Sequence, residues 1–66
     1  MQTNEPRIGM AVKCPKDRGD APFVGDIEQV GDEVNLNHKG HEYRWILVRH
    51  PLGRKSIWPS NRLAVA

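Results

Sequence analysis

Much that would mark an enzyme or a membrane protein is missing from this chain. Of its 66 residues one is cysteine, and aromatic residues make up 6%. A lone Cys14 cannot form an internal disulfide, which fits a reducing compartment. No apolar run approaches the roughly 18 residues that a membrane span needs. The opening Met1-Gln2-Thr3-Asn4-Glu5-Pro6 is polar and resembles neither a signal nor a transit peptide, so a soluble, cytoplasmic protein is expected. There is no glycine-rich phosphate loop, since Gly19 and Gly25 stand in unrelated contexts. No Ser–His–carboxylate set can be placed, and Cys14 has no positioned base, so it reads as a small core residue. His38 and His41 approach a pair of metal ligands, but a structural zinc site wants four in tight spacings. No catalytic residue, metal or cofactor is therefore expected.

Helical patterning is also absent: no segment repeats its apolar residues with a 3.6-residue period over three turns. Short alternating runs broken by proline and glycine are present instead. Residues 9–14 read as a strand with Met10, Val12 and Cys14 on one face. Residues 15–22 form a polar loop bounded by Pro15 and Pro22, which cannot join a ladder from an interior position. Residues 23–30 read as a second strand, with Gly25 marking a bulge or a close backbone approach. After a Gly31-Asp32 turn, residues 33–37 alternate, with Val34 and Leu36 expected inward. A turn at 38–42 leads to residues 43–50, the strongest strand pattern of the chain.

Both faces of that segment carry apolar residues, so it is expected to be central. Tyr43, Trp45, Leu47 and Arg49 share one face; Arg44, Ile46, Val48 and His50 share the other. Pro51, Leu52 and Gly53 make a hairpin loop, with Gly53 free to take φ > 0. Residues 54–58 return antiparallel, 59–62 suit a 3₁₀ turn and 63–65 close as a short strand. The expected fold is all-β: one small barrel of five or six antiparallel strands over residues 9–66, with a short 3₁₀ turn before the last strand and a flexible N-terminus at 1–8. Its core is drawn from Met10, Val12, Phe23, Val24, Ile27, Val30, Val34, Leu36, Ile46, Leu47, Val48, Ile57, Leu63 and Val65.

Charge is unevenly spread along the chain. Net charge is only +2, yet residues 1–37 carry four Lys and Arg against seven Asp and Glu, and residues 38–66 carry six against one. Such asymmetry points to a polyanionic partner, unless the fold mixes the two halves in space. Arg44, Arg49, Arg54, Lys55 and Arg62 fall within residues 43–62, where Trp45 and Trp58 offer stacking platforms. Clustered cations interleaved with aromatics are what a nucleic-acid surface requires. The plain structural alternative is that both indoles pack inside and the cations form a solvated face. Asp17 and Asp20, in the 15–22 loop, read either as solvated charges or as partners for a basic peptide residue.

Ser56-Ile57-Trp58-Pro59-Ser60-Asn61-Arg62-Leu63 resembles the end of an SH3 domain, which closes with Gly-aromatic-aliphatic-Pro-Ser-Asn-Tyr-Val after a hairpin that opens on tryptophan. The resemblance covers about the last 20 residues and implies an SH3-like barrel. In that family the tryptophan, proline, asparagine and a following tyrosine line a groove for proline-rich peptides. Carried over, the groove would use Trp45, Pro59 and Asn61, with Arg62 at the tyrosine position. The basic hairpin is also similar in character to the DNA-binding barrels of integrases. Lys55-Ser56-Ile57-Trp58-Pro59 keeps the Ile and Pro of the Val-Gln-Ile-Tyr-Pro strand of type II dihydrofolate reductases. That likeness implies a homotetrameric enzyme with Ile57 and Trp58 facing a central pore.

These readings converge on a non-enzymatic binding module. Its expected partner is nucleic acid, met by Arg44, Trp45, Arg49, Arg54, Lys55, Trp58 and Arg62. Such a chain would suit an accessory protein of a mobile element. A peptide module using Trp45, Pro59 and Asn61 is the alternative, and the reductase-like enzyme a third. A homo-oligomer is compatible with each, and no membrane partner is expected.

Overall fold

The computed structural model describes residues 5–17 and 19–66; of the expected flexible segment 1–8, residues 1–4 lie outside the described residues. The described residues are all-β, with seven extended segments: β1 Ala11–Cys14, β2 Phe23–Val30, β3 Asn35–Leu36, β4 Glu42–Tyr43, β5 Trp45–Arg49, β6 Lys55–Pro59 and β7 Ala64–Val65. A 3₁₀ turn, Ser60–Arg62, precedes β7. Five strands form one antiparallel sheet in the order β6-β5-β2-β1-β7, and β3 pairs with β4 separately. Among the described residues no strand pairing joins β6 to β7, so the sheet has two edges; β2 is its middle strand, and β5 is an interior strand paired on both sides, with β2 and β6.

Alternation sets the core. Val12 and Cys14 point inward from β1, Ile27 from β2, Ile46 and Val48 from β5, and Trp58 from β6; Leu63 seals the end after the 3₁₀ turn. Met10, Phe23 and Val30 pack around them. Five residues of the expected core are exposed instead: Val24, Val34, Leu36, Ile57 and Val65. For Val34 and Leu36 the reason is topological. The β3–β4 hairpin stands outside the five-stranded sheet, so its alternation has no core to face. Expected strand 33–37 shrinks to Asn35–Leu36, and expected strand 43–50 is interrupted at Arg44.

Strand β2 bends where β5 and β1 must both be met. Its register with β5 slips between Ile27 and Gln29, a bulge that leaves Glu28 as the extra residue. Gly25 sits on the inner face of β2, hard against β5. A Cβ there would lie 2.6 Å from Val48 Cγ1 and 2.7 Å from the Arg49 carbonyl oxygen, so only glycine fits.

The β5–β6 hairpin is held by a three-residue loop. His50 N–H donates to the Arg54 carbonyl at 2.6 Å, and Gly53 N–H donates to the His50 carbonyl at 2.8 Å. Pro51 presets the first turn residue, and Gly53 takes φ 96°, the left-handed step that ends such loops. Leu52 N–H adds a bond to His50 Nδ1 at 3.0 Å. At the far end of the hairpin Ser60 ties the 3₁₀ turn to the break in β4–β5. Its N–H donates to the Arg44 carbonyl at 2.8 Å, and its Oγ accepts from Arg44 N–H at 3.0 Å.

Candidate nucleic-acid interface

The two tryptophans part company. Trp58 is 5% exposed, and its indole N–H donates to Ser56 Oγ at 2.7 Å. Trp58 is therefore a core residue rather than the expected stacking platform, because it directly opposes Ile46 across β5–β6 and shares its inward face. Trp45 is 46% exposed on the opposite face. The Tyr43 ring meets it edge-on, with centroids 5.3 Å apart and planes at 87°.

Register places the rest of the outer face in rows. Trp45 opposes Pro59, Leu47 opposes Ile57 and Arg49 opposes Lys55 across β5–β6; Gln29 and Asp26 of β2 oppose Leu47 and Arg49. A groove of about 280 Å³ runs beside the Trp45 ring, lined by Gln29, Gly31, Asp32, Trp45, Leu47 and Ile57. It has an apolar floor and, in Gln29 and Asp32, side chains able to donate and accept at its rim.

The expected cationic set divides into ties of different strength. Arg44 turns back on the fold, its Nη1 donating to the carbonyls of Asp32 at 3.1 Å and Gly31 at 3.4 Å. Lys55 Nζ pairs with Glu28 Oε2, a buried oxygen, at 3.0 Å. Arg54 and Arg62 face Asp20 and Asp17 at 3.8 Å, both pairs well exposed. The Arg62 guanidinium also lies over Trp58, 5.2 Å from the ring centroid. Arg49 forms no ion pair among the described residues.

The charge asymmetry of the sequence is therefore largely folded away. The loop after β1 brings Asp17 and Asp20 against the basic half, and the β2 bulge brings Glu28. Reciprocal backbone bonds between Asp17 and Asp20, at 2.8 and 3.2 Å, hold that loop.

The peptide set lies along the end of β5–β6 and the turn that follows. Trp45 and Pro59 are direct cross-strand neighbours, and Asn61 is half-buried in the 3₁₀ turn. Ile57 and Trp58 lie on opposite faces of β6, so the two do not face one pore. Cys14 is buried beside Val12 in the core, and desolvation pushes its thiol up to about 11, the reverse of an activated nucleophile. His38 and His41 lie in the exposed β3–β4 turn, which Asn37 Oδ1 holds by accepting from the N–H groups of Lys39 and His41, each at 2.9 Å.

Sequence reasoning missed Gln29 and Leu47 as groove residues and Ser60 as the link that positions the turn. Only the strand register, including the Glu28 bulge, places the first two beside Trp45. For Ser60 the Pro-Ser-Asn corner was a signal, though not of its Arg44 partner. Comparison with known proteins adds no assignment: no family model, no curated protein and no solved structure matches the chain.

Proposed function

We propose that the chain is a non-enzymatic binding module on an SH3-like barrel, and that its partner is single-stranded nucleic acid. Strand order and the 3₁₀ turn before β7 support the barrel reading. The observation that carries the partner is Trp45: a half-exposed indole, braced edge-on by Tyr43 and flanked by an apolar groove. A base stacks on that indole and enters the groove, with Arg49 and Lys55 on the phosphates. Stacking on one aromatic is worth about 1–3 kcal/mol per base and tolerates any sequence. Few cations are untied, so salt dependence is shallow, with a slope of about −0.7 per phosphate met.

Indole fluorescence tests this directly, since Trp45 is open to solvent and Trp58 is buried. Short single-stranded DNA and RNA are expected to quench it saturably at low salt, with affinity falling as salt rises. Absence of quenching, or quenching indifferent to salt, rejects the reading.

The Trp45–Pro59 contact favours a second reading, recognition of a proline-rich peptide beside the same ring. Its signature is quenching by the peptide with no salt dependence and none by nucleic acid.

A further inference from the structure

Strand β6 lies at an edge of the sheet, paired with β5 on one side only. In an antiparallel ladder, opposed residues alternate between pairs that exchange hydrogen bonds and pairs whose backbone groups point away. The bond from His50 N–H to the Arg54 carbonyl sets the phase. Ser56 and Trp58 then bond to β5, whereas Lys55, Ile57 and Pro59 turn their backbone groups to the free side. Pro59 fits that phase, because the N–H it lacks is one that β5 does not need. Lys55 and Ile57 make no other backbone bond among the described residues.

Natural edge strands are blunted by charge, proline or a bulge. Here Lys55 and Pro59 stand at the two ends of β6, and its middle is Ile57, 67% exposed. The opposite edge is much shorter: β7 has two residues.

We propose that β6 is a homodimer interface in which two copies pair β6 against β6, antiparallel, about a two-fold axis through Ile57. Each Ile57 exchanges N–H···O=C bonds with Ile57 of the second copy, and each Lys55 N–H donates to the Pro59 carbonyl of the second copy. The occupant is a second copy because the strand is complementary to itself in this register. Lys55 lands opposite Pro59 of the other copy and Ile57 opposite Ile57, so no like charges are directly opposed across the seam. The two Lys55 Cα positions are held about 13 Å apart along the strand direction.

The outer row Gln29–Leu47–Ile57 runs on into its own mirror order, so the apolar stripe is unbroken and isologous. A chain this small buries only about 60% of its unfolded surface, so association adds burial that it lacks. The axis is normal to the sheet and leaves both Trp45 rings on one face. Neither the dimer nor that placement rests on the nucleic-acid reading.

Sedimentation of the protein alone through the micromolar range, with amide hydrogen exchange at Ile57, tests the proposal. Expected is twice the monomer mass, with the Ile57 and Lys55 amides protected. Ile57→Lys should halve the mass and release the amides, with circular dichroism unchanged. A wild-type monomer with a freely exchanging Ile57 amide overturns the proposal, as does a dimer indifferent to Ile57→Lys. Should the variant unfold, wild-type exchange at Ile57 still decides. No nucleic acid enters this test, so its failure and that of the nucleic-acid reading are separate results.

Discussion

Trp45 and Trp58 lie on adjacent strands one residue out of phase, and that phase decides everything about them. On the inner face Ile46, Val48 and Trp58 are buried against Val12, Ile27 and Leu63. On the outer face Trp45 and Ile57 are open, and Leu47 lies half-buried between them. The same hairpin thus buries one side in the core and leaves the other open to solvent. Two aromatic residues of one type, thirteen positions apart, have opposite physical duties. Composition alone could not have separated them.

The comparison breaks most sharply at Trp58. Trp58→Ala is expected to cost about 3–5 kcal/mol, measured by urea unfolding. Trp45→Ala should leave the unfolding midpoint little changed yet abolish saturable quenching by oligonucleotide, since it removes the platform rather than the core. Equal stability losses from the two would erase the distinction between the faces. Gly25→Ala comes next, at roughly 1–3 kcal/mol, because the added methyl meets the Arg49 carbonyl as well as a side chain that can move.

Cys14 sharpens the inner face through pH. Burial raises its folded pKa from 9.0 to about 11, so the neutral thiol is favoured in the fold. The stability this group contributes is full below pH 9 and is lost as pH rises towards 11, by at most about 1.4 kcal/mol per pH unit. Cys14→Val should lack that slope in unfolding measured across this range. Ser60→Ala is smaller: it leaves the Arg44 N–H without its acceptor, at about 1–2 kcal/mol by the same unfolding assay. Lys55→Gln, which breaks the Glu28 pair on the outer face, should change stability by about 1 kcal/mol or less.

Much of the local structure was legible. Phe23–Val30 follows from its flanking proline and glycine, and the hairpin from Pro51 and Gly53. The close approach at Gly25 was one of two readings of a glycine within a strand. What could not be read was parity and partnership. In Lys55–Pro59 both alternating sets contain an apolar residue, Ile57 in one and Trp58 in the other, so only pairing with β5 fixes which points inward. Val34 and Leu36 alternate as core residues do, but whether a hairpin joins the main sheet depends on contacts distant in sequence. The basic half of the chain looked like an open polyanion site until the loop carrying Asp17 and Asp20, and the bulge carrying Glu28, were placed against it. Of the candidate residues, Trp45 and Arg49 stand open, which the sequence left undecided for either indole; Trp58 and Arg44 are committed to the fold.

The most direct test of the central claim is an amide-shift titration with short single-stranded DNA, short RNA and a proline-rich peptide in turn. The account predicts salt-sensitive shifts with DNA or RNA at Gln29, Trp45, Leu47 and Arg49, little change at Val12 and Ile27, and no response in Trp45→Ala. Shifts produced only by the peptide, or no shift with any ligand at low salt, would contradict it.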